Sequence, residues 1–73
     1  MRIMKKENYN YIISNIILSK NTFSYNEILD EIKYKFNNDE YAIDVLNKAL
    51  IRLREDMFIT ILGNSYTVLN CSI

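Results

Sequence analysis

FITILGNSYTVL, residues 58–69, sets two apolar runs rich in β-branched and aromatic residues on either side of Gly63-Asn64. A two-residue hairpin needs positive φ, which Gly adopts without steric penalty. Gly-Asn between such runs therefore predicts a hairpin with strands near 58–62 and 65–69. Immediately before it, DVLNKALIRLRED (residues 44–56) repeats its apolar residues with a helical period. The architecture turns on what precedes this helix and hairpin.

The helix is expected to start near Asn38 or Asp39 and to run to about Asp56. Asp39 and Glu40 suit its first turn, where the helix dipole favours negative charge. Ala42, Val45, Leu46, Ala49, Leu50 and Leu53 form one stripe and are the expected core face. Ile51 falls on the opposite side, beside Asp44, Lys48 and Glu55.

Further upstream, TFSYNEIL (residues 22–29) carries the clearest local signal in the chain. Ser24 and Glu27 have the spacing of a capping box, in which each side chain satisfies a backbone N–H of the other residue. Phe23 and Ile28 have the spacing of the accompanying hydrophobic staple. A second helix is therefore expected to begin at Tyr25, to bury Ile28, Leu29, Ile32 and Phe36, and to stop at Asn37-Asn38. Asn tolerates the left-handed conformation that ends helices. Asn21–Phe23 has room to pair as an edge strand with the hairpin. A first helix over residues 5–19 would bury Tyr9, Ile12, Ile13, Ile16 and Ile17, with Asn21 closing it. Met4, Tyr11 and Leu18, seven residues apart, then lie on its outer side.

The order helix, short strand, helix, helix, hairpin is that of an α+β winged helix, with three helices, a small antiparallel sheet and a C-terminal β-hairpin wing. At 73 residues the chain is expected to be one domain, residues 1–73. It contains no Pro and a single Gly, so regular elements should be joined by short connections. Its apolar fraction of 49% is enough for a small core.

Composition narrows the chemistry. The chain has no His, and Cys71 is its only cysteine. A nucleophile–base pair, a metal triad and an intrachain disulfide all lack their parts, so no catalytic centre, metal or cofactor is expected. Glu27, Asp30 and Glu31 cluster on the second helix, but Glu31 stands four residues before Lys35, an ordinary ion-pair spacing. The longest apolar run, Tyr11–Leu18, is interrupted by Ser14 and Asn15 and is far short of a membrane span. No signal-peptide pattern is present, and a cytoplasmic protein is the expectation.

Nine Lys and Arg balance nine Asp and Glu, for a net charge of zero. Tight duplex binding needs many phosphate contacts, so any DNA binding is expected to be weak and salt-dependent. The residues available for it are Lys48, Arg52 and Arg54 on the third helix and Lys5 and Lys6 near the N-terminus. The N-terminal part of that helix, which reads bases in a helix-turn-helix, carries Asp39, Glu40 and Asp44 instead. Residues 57–69 hold no charged residue. Tyr66 and Phe58 alternate in a hairpin over a small core and are expected to close it rather than to stack on bases. For protein contact the candidates are Ile51 on the third helix and Tyr11, Leu18 and Met4 on the first, since apolar stripes on outer faces pack against partners.

From Phe23 to Leu69 the chain resembles the HARE-type winged helix, the class of the N-terminal domain of the bacterial RNA polymerase delta subunit. The resemblance is carried by FSYNEILDEI on the second helix, LIRLRED ending the third, and FITILGNSYTVL, with Phe58, the Leu62-Gly63-Asn64 turn, Tyr66 and Val68 in place. The family commonly has Trp where Tyr66 stands. The delta subunit also carries a long acidic tail that these residues do not include, so activities of that tail are not implied. What the resemblance implies is a transcription-associated module that binds polymerase or nucleic acid and has no catalytic centre of its own; the expected partner is RNA polymerase or another protein. The rival expectations are a sequence-specific DNA-binding regulator acting as a dimer, and a structural protein–protein interaction or oligomerisation module, with a homodimer among the partners considered.

Overall fold

The computed structural model describes residues 8–69. Within them the order is α1 (Tyr9–Leu18), β1 (Thr22–Ser24), α2 (Tyr25–Lys35), α3 (Glu40–Glu55), β2 (Ile59–Leu62) and β3 (Ser65–Val68). The class is α+β, with three helices and one antiparallel sheet of strand order β1-β3-β2. Residues 5–7 of the expected first helix, and with them Met4, Lys5 and Lys6, lie outside the described residues.

α2 begins where its sequence signal places it. The Ser24 N–H donates to Glu27 Oε1 at 2.8 Å, and the Glu27 N–H donates to Ser24 Oγ at 3.2 Å. Both bonds of the capping box are therefore made. Phe23 and Ile28, the staple positions, are both buried. The helix ends in a left-handed turn, with Asn37 at φ 55 and Asn38 at φ 60. The Asn38 N–H reaches back to the Lys33 carbonyl at 2.8 Å, satisfying a carbonyl the helix would otherwise leave open.

Asp39 starts α3 and also ties it to α1. Its Oδ1 accepts the Tyr41 N–H at 2.9 Å, and its Oδ2 accepts the Tyr9 hydroxyl at 3.1 Å. The Tyr9 ring packs edge-on against Phe36, with centroids 4.6 Å apart. Burial, and then the hydrogen bond and charge of Asp39, push the Tyr9 hydroxyl above its ordinary pKa. All six expected core residues of α3 are buried: Ala42, Val45, Leu46, Ala49, Leu50 and Leu53.

α3 closes on Met57, at φ 68. The Phe58 N–H donates to the Leu53 carbonyl at 2.9 Å and the Met57 N–H to the Arg54 carbonyl at 3.2 Å, the bond pattern of a Schellman motif. Gly is the usual residue at this left-handed position, and here a methionine takes it. The hairpin turns through Gly63 at φ 65, while Asn64 has no positive φ. This is the φ signature of a type II′ turn, and Leu62 faces Ser65 as the closing pair. β1 pairs with β3 one residue later than expected, with Phe23 opposite Tyr66 and their rings stacked at 5.2 Å.

Leu18 departs from expectation. A helical wheel puts it opposite the α1 core stripe, yet it is buried. The wheel supposes that a helix faces a single neighbour. At the last turn of α1 the Ser19 and Lys20 N–H groups bond to the Asn15 and Ile17 carbonyls, and the chain then passes to β1. Lys20 is then tied across to Glu31 of α2 at 2.6 Å. Leu18 belongs to the same buried cluster as residues of α2, α3 and the sheet, so the end of α1 buries residues on more than one side. The same ion pair engages Glu31 with Lys20 where the sequence spacing pointed to Lys35.

Candidate protein-contact surface

α3 presents its outer side along Asp44, Lys48, Ile51 and Glu55. Asp44 and Lys48 pair at 3.1 Å, one turn apart and both largely exposed, so the pair contributes little to stability. Next along this side, Ile51 is 60% exposed. It lines an open groove of about 200 Å³ with Tyr25, Asn47, Leu50, Arg54 and Tyr66. Three elements build that groove. The start of α2 supplies Tyr25, whose hydroxyl donates to Asn47 Oδ1 at 2.7 Å and fixes one wall. β3 supplies Tyr66, partly buried and held by its stack on Phe23. α3 supplies the floor, and Ile51 and Arg54 continue into an adjoining depression with Glu55.

This arrangement offers an apolar side chain, a tyrosine ring and a guanidinium within one concave strip. Such a strip suits a partner's apolar side chain with an acceptor group beside it. Among the described residues no group of three or more His, Cys, Asp or Glu comes together in a way that could hold a metal ion.

Tyr11, 71% exposed, belongs to a different groove, of about 280 Å³, between α1 and the end of α3. Arg52 lines it too, and its Nη2 donates to Asn10 Oδ1 at 3.2 Å. The residues singled out in the sequence thus separate. Ile51 and Arg54 share one groove, Tyr11 and Arg52 share another, Lys48 faces Asp44, and Leu18 is in the core. The parts missed were Tyr25, Asn47 and Tyr66, which lie on separate elements and meet only in the fold. Other exposed large hydrophobic residues, Tyr34, Tyr41, Met57, Leu62 and Leu69, were not singled out either. For Leu62 the alternation of the strand held a signal, since it shares the parity of Thr60 rather than of buried Ile59.

The chain matches no family model, no curated protein and no solved structure. No helix among the described residues is long and apolar enough to cross a membrane.

Proposed function

We propose that the chain is a non-catalytic winged-helix module that works by protein contact through the outer face of α3, and that its partner is RNA polymerase. The winged-helix reading is supported by the element order and by β1 pairing with the second strand of the hairpin. The polymerase comes from the resemblance of residues 23–69 to HARE-type domains. The observation that carries the contact mode is Ile51, exposed in the middle of α3 beside a groove holding Tyr66 and Arg54. The end of α3 that would enter a DNA groove carries Glu40 and Asp44, and Asp44 already occupies Lys48.

Capture from a cell lysate tests this directly. Recovery of polymerase subunits by the wild type, and their loss with Ile51→Lys, is the expected result. Enrichment of genomic fragments without polymerase would support the DNA-binding regulator instead. In that case, four phosphate contacts through Lys48, Arg52, Lys5 and Lys6 would make log K fall with log salt at a slope of about −3.6.

A further inference from the structure

The three basic residues of α3 differ in what they already hold. Lys48 Nζ lies 3.1 Å from Asp44 Oδ2, and Arg52 Nη2 donates to Asn10 Oδ1 at 3.2 Å. Arg54 is exposed and lines the groove beside Ile51, and its side chain makes no hydrogen bond or ion pair with any other described residue. Asn47 is also turned toward donating. Its Oδ1 accepts the Tyr25 hydroxyl, which leaves its amide nitrogen as the group still to be satisfied. No Asp or Glu is among the described residues that line the groove. Its open polar side therefore offers donors, one of them charged, and its apolar side is Leu50, Ile51 and two tyrosine rings. At about 200 Å³ the groove is smaller than the roughly 300–1,000 Å³ of a cofactor or drug-sized pocket, and it suits a side chain.

We infer that the groove takes an acidic segment of a protein partner, in which an aliphatic side chain stands one helical turn from a carboxylate. The inference rests on the proposed contact through the outer face of α3 and names the chemistry of what that face holds. Ile51 and Arg54 are three residues apart on one helix, a spacing that sets their Cβ atoms about 5–6 Å apart. A partner helix with its aliphatic residue and its Asp or Glu four positions apart matches that span. The aliphatic side chain lies against Ile51 and Tyr66. The carboxylate accepts from the Arg54 guanidinium, whose planar fork fits two carboxylate oxygens. A nucleic-acid backbone fits less well. Its successive phosphates call for a row of unengaged cations, whereas the adjoining depression adds Glu55 and Asp44 holds Lys48.

The probe is a blocked helical peptide, otherwise uncharged, with one Leu and one Glu four residues apart, beside a version with Gln in place of the Glu. Each is titrated into the full chain and followed by amide NMR shifts. The Glu peptide shifts Ile51, Arg54 and Tyr66 and binds about fivefold more tightly than the Gln peptide. That preference disappears in Arg54→Gln, is partly kept in Arg54→Lys, and shrinks in the wild type as salt is added. The salt series tests the same point should either variant fail to fold. A preference for Glu that survives Arg54→Gln overturns the proposal. So does a peptide that leaves the groove residues unshifted, or one that duplex DNA displaces from them. Titration of wild type and Ile51→Lys against RNA polymerase separates this proposal from the reading it rests on. Polymerase held through Ile51, with no preference for the Glu peptide, overturns the acidic segment and leaves the contact face standing. A preference for Glu with no binding to polymerase supports the acidic segment and removes polymerase as its bearer.

Discussion

On its inner side α3 presents Ala42, Val45, Leu46, Ala49, Leu50 and Leu53, all buried; on its outer side it presents Asp44, Lys48, Ile51 and Glu55, all exposed. The inner residues answer to the core, where each methylene has a shape to fill. The outer charged residues need only water. Ile51 fits neither demand, because the core does not use it and water does not favour it. The difference separates residues the fold requires from a residue it leaves free, and the proposed contact rests on that residue.

The largest expected effect lies on the inner side. Leu46 is fully buried, and Leu46→Ala should cost about 2–5 kcal/mol through lost burial and the cavity left behind. In a domain this small that approaches the whole folding free energy, so denaturant titration should show a protein partly unfolded without denaturant. A loss within surface limits would mean that the inner face is not the core it is taken to be.

Helix ends come next, because they hold the inner face in register. Ser24→Ala removes the acceptor of one capping bond and should cost on the order of 1 kcal/mol, a fall of about 4–8 °C in Tm. At the far end of α3 the sign reverses. Met57 occupies a left-handed position at which a side chain is strained, so Met57→Gly should raise stability by about 0.5–1 kcal/mol. Thermal melts of the two variants check both directions.

The bond between Tyr9 and Asp39 joins the start of α1 to the start of α3 and gives a smaller effect, confined to alkaline pH. The folded state raises the Tyr9 pKa above its unfolded value of about 10, so folding holds the proton more tightly. Its contribution is fully present below pH 10 and is lost as pH rises through the folded pKa. Wild-type Tm should therefore fall more steeply above pH 10 than that of Tyr9→Phe, which has no proton to lose. Parallel curves would show that the bond does not couple the two helices.

Those elements whose cause is local were legible in the sequence. The capping box depends on residues three apart, and both of its bonds are present. The α3 stripe is one uninterrupted pattern, and all six of its members are buried. The turn at Gly63 needs one residue that tolerates positive φ, and the chain has a single glycine to supply it. What escaped depends on more than one element. Leu18 is buried in a core to which α2, α3 and the sheet also contribute, a fact that no wheel of α1 contains. Met57 takes the left-handed position without the glycine that would announce it. The groove beside Ile51 is walled by Tyr25 and Tyr66, which lie far apart in sequence and meet only after β1 pairs with β3.

The comparison of the two faces of α3 comes to its sharpest point at Ile51. Purified wild type and Ile51→Lys can be titrated against RNA polymerase, with Tm measured on the same samples. The expected stability change is within about 0.5 kcal/mol, as for an ordinary surface position. The expected loss of affinity is about 2 kcal/mol or more, roughly thirtyfold, as for an anchor at the centre of an interface. Equal affinity of the two proteins for polymerase, with folding intact, would contradict the assignment of this face as the working surface.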